Sequence, residues 1–307
     1  MIPQKEFNLL TDYLKKFVGE TVTYVPNPGN AGDSAIFFAT VKMFEAIGLR
    51  YTIEMGTNVN VDGKIVIIGG GGAMANEESA LTKVMNRALK TAKHVILLPH
   101  TAKEVDKTLS SAKNNLTIFC REKVTYNYLE QFDGLERHLV HDIVLSFKAN
   151  EYTELFSFKD YFKLIGLYLK GIALNSATKF RLKDVLKVLN AGRITKRVIA
   201  ASDKSVLNAF RVDEEKTNVE IPNINFDISS MYQLSINHPF LAEAATRMML
   251  HTVSQFEEIN TNRLHVAILS SLLGKKVNFY DNSYFKCRAV YLHSLEKHFP
   301  NVQFNPK

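Results

Sequence analysis

Four short, nearly continuous apolar runs constrain this chain more than any other feature: 21–25, 64–68, 95–98 and 116–120. Runs of this length, rich in Val, Ile, Leu and aromatics, read as strands. Little in them is polar, so both faces need cover, and a parallel sheet with helices on both sides supplies it. Helical patterns at 35–47, 79–90 and 125–132 fall between or after the runs. The prediction is an open, mostly parallel α/β sheet that carries ligands along the carboxyl ends of its strands. Asn30, Asp33, the tetraglycine 69–72 with Gly71 inside it, His100, Arg121 and Asp142 all fall at strand ends or in the loops that follow. Pro26, Pro28, Gly29 and Gly32 argue for an irregular 26–34 loop. Asp33 or Ser34 can cap a helix opening near Ala35. A further short strand is expected within 139–144.

A chain of 307 residues is long for one core, and two domains are expected. Character changes after residue 150: from Lys159 to Lys204, 11 Lys/Arg stand against three acids. Residues 151–195 read as a basic amphipathic helical connector between a 1–150 domain and a 196–307 domain. The first strand of the second domain is either 197–201 or, better supported, 205–210. A helix over 239–255, a strand over 276–280 and a last helix over 286–298 complete it.

The net charge of +7 and pI near 9.2 favour an anionic partner: a phosphorylated substrate, nucleic acid or an anionic membrane. The basic residues are diluted along the chain and form no recognised nucleic-acid motif. Cys120 and Cys287 are the only cysteines, too far apart in sequence for a disulfide framework or a metal site, which fits a reducing cytoplasm. The nine histidines are scattered, so no metal ligand set is expected. No apolar run approaches the roughly 20 residues of a spanning helix, and no signal peptide is evident. No Gly-Lys-Ser/Thr follows the first strand, which excludes a P-loop. Met74 stands where a dinucleotide fingerprint needs glycine, so a nicotinamide cofactor is not expected.

Arg263 and His265 stand two residues apart at the start of an apolar run. In a loop opening into a helix both can reach one ligand beside the helix N-terminus, which favours anions. The plainer reading is a surface arginine and a satisfied histidine.

Taken in order, several pieces resemble the polysaccharide pyruvyl transferase family. They are Asn30-Ala31-Gly32-Asp33, Gly69-Gly70-Gly71-Gly72, Leu98-Pro99-His100-Thr101, Cys120-Arg121-Glu122, Asp142, Phe210-Arg211-Val212-Asp213 and Asn262-Arg263-Leu264-His265. The tail Tyr280…Tyr284-Phe285-Lys286 matches as well. Asn262 is a departure, because many relatives carry Ser plus an acid before the arginine.

The resemblance implies two Rossmann-like domains in a GT-B-like arrangement, with an active-site cleft between them. It implies phosphoenolpyruvate as donor, with no further cofactor, and a sugar diol of a cell-surface polysaccharide precursor as acceptor. The product would be a cyclic pyruvate ketal, with phosphate released. Arg263, Leu264 and His265 would bind the donor with Lys286, and either Arg121 or Arg211 would supply the second donor arginine. Asn30, Asp33, His100 and Gly71 would meet the acceptor. Catalysis would fall to His265, Arg263 and Asp33, and Asp33 has helix capping as its competing role. The chemistry agrees: phosphate and carboxylate on one donor call for arginine forks, and a histidine can give and take protons near neutral pH. A GT-B-like glycosyltransferase using a nucleotide sugar is the alternative.

Residues 156–172 gather Phe158, Tyr161, Phe162, Ile165, Tyr168, Leu169 and Ile172 on one broad helical face, with Lys159, Lys163 and Lys170 off it. An apolar stripe at helical spacing ordinarily faces a core. Aromatics beside lysines are also the pattern of an interfacial helix. Since polysaccharide units are commonly built on lipid carriers, the resemblance allows a lipid-linked acceptor and peripheral contact of a cytoplasmic enzyme with the inner membrane face.

Overall fold

The computed structural model describes residues 2–174, 179–202, 205–213, 215 and 219–306. A 3-10 turn and α1 (Asn8–Lys15) lead into β1 (Thr21–Val25). Then come α2 (Ala31–Ile47), β2 (Arg50–Ile53), β3 (Ile65–Ile68), β4 (Gly71–Met74), α3 (Ala80–Thr91), β5 (His94–Ala102), α4 (Asp106–Leu109), β6 (Leu116–Cys120), α5 (Lys123–Tyr128) and β7 (Leu135–Leu139). The later elements are α6 (Phe158–Ala173), α7 (Leu182–Leu189), α8 (Ala191–Ala201), β8 (Val206–Asn208), α9 (Ile228–Met231), α10 (Pro239–Ser254), β9 (Glu258–Thr261), α11 (Leu264–Leu272) and β10 (Lys276–Tyr280). The chain ends with α12 (Lys286–Val290), a π-helical turn, α13 (Glu296–His298) and β11 (Val302–Asn305).

The chain forms two compact units. The first holds 1–27, 39–147 and 289–298; the second holds 28–38, 148–288 and 299–307. Residues 28–38, with Asn30 and Asp33, therefore cluster with the second unit. The basic segment after 150 clusters there too, as α6, α7 and α8.

The first unit carries a seven-stranded parallel sheet in the order β2-β1-β3-β5-β6-β7, with β4 added against β5. β3 and β6 are buried along their whole length, as their apolar sequences require. Leu81, Val84, Met85, Ala88 and Leu89 of α3 pack with Val66, Ile68, Val95 and Leu97 in one core cluster. Strand order reverses between β1 and β3, the switch point at which open sheets bind ligands. There Gly69 N donates to Val25 O at 2.8 Å. A Cβ on Gly69 would lie 2.7 Å from Asn27 N, so only glycine permits this approach. The second unit carries a four-stranded parallel sheet in the order β11-β10-β9-β8.

Several boundaries differ from the sequence reading. α2 opens at Ala31, four residues before the expected start, because Asn30 caps it. Asn30 Oδ1 accepts from Gly32 N at 2.7 Å and Asp33 Oδ2 accepts from Asn30 N at 2.9 Å, a reciprocal capping box. The strand expected within 139–144 ends at Leu139; beyond it Asp142 accepts from Val144 N and starts a 3-10 turn. Residues 197–201 belong to α8, and 206–208 form the strand. The last helix is interrupted by the π turn over Tyr291–Leu295. The stripe on α6 does not face a core: Phe158, Phe162, Ile165, Leu169 and Ile172 are all exposed. Among the described residues no helix is long and apolar enough to cross a membrane.

Candidate active site

In the second unit three neighbouring strands each deliver one cation just beyond their carboxyl ends. Arg211 follows β8, Arg263 follows β9 and Lys286 follows β10. Short polar bonds fix the strand ends. Thr261 Oγ1 donates to Ala209 O at 2.7 Å and accepts from Arg263 N at 3.0 Å. Asn262 Oδ1 accepts from Arg211 N at 2.8 Å.

Three carboxylates balance these three cations. Arg263 grips Asp227 in forked geometry, with Nε to Oδ1 at 3.0 Å and Nη2 to Oδ2. Its Nη2 also meets Ser230 Oγ at 3.1 Å and Asp213 Oδ2 at 2.9 Å. Arg211 forks onto the same Asp213 at 2.6 and 3.0 Å and also pairs with Glu215. Lys286 Nζ reaches Glu215 Oε2 at 2.9 Å and lies 4.8 Å from the Tyr284 ring centre. Burial pushes the Asp213 carboxyl up, but Arg211 and Arg263 outweigh it and hold it at about 2. Burial opposes the charge on Glu215 as well, and Lys286 and Arg211 bring its pKa below the usual range. Burial would lower the Lys286 pKa, yet Tyr284 and Glu215 raise it. Asp213, Glu215 and Lys286 are therefore charged at neutral pH.

The burial of its members is uneven. Arg263 and Asp227 are enclosed, whereas the Asp213 and Glu215 side chains are 45% and 40% exposed. Two anions on the open side are thus held by two arginines and a lysine. Asn282, in the loop after β10, is fully buried, yet neither atom of its side-chain amide has a hydrogen-bond partner among the described residues. An orphaned buried amide is costly, and a polar group brought to it would relieve that cost.

Arg263 is the N-cap residue of α11 and His265 lies in its first turn. His265 packs against the N-terminal loop of α2. A Cβ on Gly32 would lie 2.7 Å from His265 Nδ1 and 3.0 Å from Asn30 Oδ1. Asn30, Asp33 and His265 therefore meet in the second unit around a glycine that leaves room for the imidazole. Leu264 is buried behind them.

The other expected site residues lie in the first unit. Arg121 is sealed: Nη1 pairs with Asp142 Oδ2 at 2.8 Å and Nε donates to Thr101 Oγ1 at 2.9 Å. His100 is buried in β5, its Nε2 accepts from Met74 N at 3.1 Å, and Gly71 is its register partner across β4. Glu6, His141 and His298 bring possible metal-ligand atoms within 4.8 Å of one another. Glu6 Oε2 pairs with His141 Nε2 at 2.8 Å.

Sequence reasoning missed Asp227, Glu215 and Asn282. Asp227 had a local signal, since Asp-Ile-Ser-Ser reads as a helix cap, and its side chain does accept from Ser230 N. Its link to Arg263 spans 36 positions and leaves no trace in the sequence.

The chain is thus an α/β protein of two parallel-sheet units, with Arg211, Arg263 and Lys286 gathered at the strand ends of the second. The model of the polysaccharide pyruvyl transferase family matches residues 30–284, most of the chain, and the protein belongs to that family. It is similar, at 27% identity and a TM-score of 0.72, to the crystal structure of a functional uncharacterized protein from Klebsiella pneumoniae subsp. pneumoniae NTUH-K2044. The match covers 99% of each chain. No curated protein matches it.

Proposed function

We propose that this transferase moves the pyruvyl group of phosphoenolpyruvate onto two hydroxyls of a sugar in a cell-surface polysaccharide precursor, forming a cyclic ketal and releasing phosphate. The observation that carries this reading is the set Arg211, Arg263 and Lys286 on three adjacent strand ends, all three held by the exposed carboxylates of Asp213 and Glu215. Phosphoenolpyruvate presents a phosphate and a carboxylate, and two arginine forks with a lysine match such a pair. Asp213 and Glu215 then hold the positions that the donor's anions take. Arg211 is the second donor arginine, because Arg121 already spends its fork on Asp142 and Thr101. Asp227 keeps the Arg263 fork aimed.

The chemistry needs one proton delivered to the methylene carbon and two removed from hydroxyls. His265, as imidazolium, protonates the methylene while the first hydroxyl bonds to C2. The proton of that hydroxyl restores the imidazolium. The second hydroxyl then bonds to C2 as the C2–O bond to phosphate breaks, and its proton leaves with phosphate. Guanidinium groups fixed beside the departing phosphate stabilise the charge that develops there. Asp33 and Asn30, beside His265, face the hydroxyls.

The test is phosphate release from phosphoenolpyruvate in the presence of pyranoside diols, with the product examined by mass spectrometry for an added pyruvyl group. A ketal on one acceptor supports the reading. Transfer from a nucleotide sugar, with phosphoenolpyruvate left intact, overturns it.

A further inference from the structure

We propose that α6 and α7 form a docking surface for an anionic lipid bilayer. Phe158, Phe162, Ile165, Leu169 and Ile172 stand at i, i+4, i+7, i+11 and i+14 on α6, a single stripe along the helix. Leu182, Leu186 and Leu189 repeat the i, i+4, i+7 pattern on α7. All eight are exposed, from 42% at Ile165 and Leu189 to 82% at Phe158. Single exposed apolar residues are ordinary; eight in two phased stripes on consecutive helices are not.

The stripes point outward because the opposite faces are anchored. Leu164 and Gly171 bury the other side of α6. A Cβ on Gly171 would lie 3.1 Å from Lys179 Cα, so the helix sits close against the segment that leads to α7. Val185 and Val188 bury the other side of α7, and Asp184 pairs there with Arg181 at 3.1 Å.

Charge selects the occupant. Lysine follows Phe158, Phe162, Leu169, Leu182 and Leu186 directly, as Lys159, Lys163, Lys170, Lys183 and Lys187. A step of about 100° places these lysines along one flank of each stripe. Lys163 also lies 5.5 Å from the Phe240 ring centre, and Lys187 donates to Gln233 O at 2.9 Å. The acids of the two helices are engaged elsewhere: Asp160 closes a capping box with Ser157 and meets Arg247, and Asp184 is buried. The exposed charge is thus entirely basic. Two copies mated through these stripes would set lysine against lysine with no acid to pair. Anionic headgroups satisfy the lysine flank, and the interfacial layer takes up the phenylalanines and aliphatics. The α6 stripe covers about 21 Å along the helix, which suits lying on a bilayer.

Flotation of the full chain with phosphatidylcholine vesicles, with and without phosphatidylglycerol, tests the proposal and does not depend on turnover. Binding is expected to the anionic vesicles alone and to be released by salt. Lys159→Glu/Lys163→Glu/Lys170→Glu should weaken it at least about tenfold, each lysine near the surface carrying a substantial share. Phe158→Ser/Phe162→Ser/Leu169→Ser should weaken it by a similar factor, and circular dichroism should report an unchanged fold for both variants. Wild-type protein that ignores anionic vesicles at low salt overturns the proposal. So does full binding by the serine variant, which would leave the stripe without a role. A dimer in light scattering that the serine variant abolishes assigns the surface to a second copy instead.

Discussion

Arg121 and Arg263 are both buried and both follow strands of parallel sheets, and they are held in different ways. Arg121 meets Asp142, and both side chains are 1% exposed. Arg263 meets Asp227, which is enclosed, and also Asp213, which is half open to solvent and shared with Arg211. A cation sealed against one buried carboxylate cannot be offered to a ligand without opening the fold around it. A cation that shares an exposed carboxylate can exchange that partner for another anion. The first arrangement ties neighbouring strand ends together; the second leaves an exposed carboxylate between two arginines.

The largest effects should fall on turnover in the second unit. Arg263→Lys keeps a charge beside Asp227 but loses the fork, and should lower phosphate release by about 10²-fold or more. His265→Gln should cost on the order of 10²–10⁴-fold in rate. Near-normal rates in both variants would erase the functional side of the comparison.

Arg121→Met should act on stability instead. It leaves Asp142 buried without its cation, a loss of about 3–5 kcal/mol, whereas Arg121→Met/Asp142→Leu should recover much of it. Urea unfolding measures both, and the folded fraction should keep its KM for phosphoenolpyruvate. A raised KM at unchanged stability would make Arg121 a donor residue after all.

These two arginines also show what the sequence discloses. Arg121 stands at the end of β6, an apolar run that reads plainly as a strand, as do β1 and β3, whereas β9 before Arg263 is Glu-Ile-Asn-Thr and no apolar run marks it. β2 and β11 escape because they are four residues long and partly exposed, so no apolar run marks them. The start of α2 escapes because prolines and glycines mask a cap made by Asn30. The roles of Arg121 and Arg211 look alike in sequence, since each is an arginine after a strand. What tells them apart is tertiary for one and partly local for the other: Arg121 pairs with Asp142, 21 residues on, while Arg211 pairs with nearby Asp213 and with Glu215, which the distant Lys286 shares. Asn282 reads as an ordinary loop residue, because its burial is a tertiary fact.

Acid separates the two regions more gently. Burial, then the charge of the stacked His141, lowers the His293 pKa from its ordinary 6.5 to about 4. A depressed folded-state pKa contributes stability above the unfolded value, lost as pH falls through the folded one. His293 should therefore cost stability between pH 6.5 and about 4. After allowance for partial exposure, on the order of 1–2 kcal/mol is expected. The Asp213 contribution is complete above its ordinary 3.8 and fades only as pH falls through about 2. Unfolding of wild type and His293→Gln, compared at pH 7 and pH 4.5, should show a smaller acid loss in the variant. Parallel losses would mean that His293 titrates alike in the folded and unfolded states.

The smallest effect is the most discriminating for the exchange of partners. Asp213 accepts from Arg211 Nε at 2.6 Å and from Arg211 Nη2 at 3.0 Å, and lies 2.9 Å from Arg263 Nη2. If it keeps a place for a donor anion, binding must first displace it, and its charge competes with the ligand. Asp213→Asn keeps one acceptor oxygen and removes that competition. The KM for phosphoenolpyruvate should then fall about two- to fivefold, under ~1 kcal/mol. Stability should drop only slightly, because the carboxylate is half exposed and its pairing is screened. Asp227→Asn should do the reverse, raising KM as the Arg263 fork loses its aim. Steady-state kinetics on the two variants decide the matter. If Asp213→Asn raises KM as Asp227→Asn does, both carboxylates orient the arginines, and the donor must find its cations by another route than exchange.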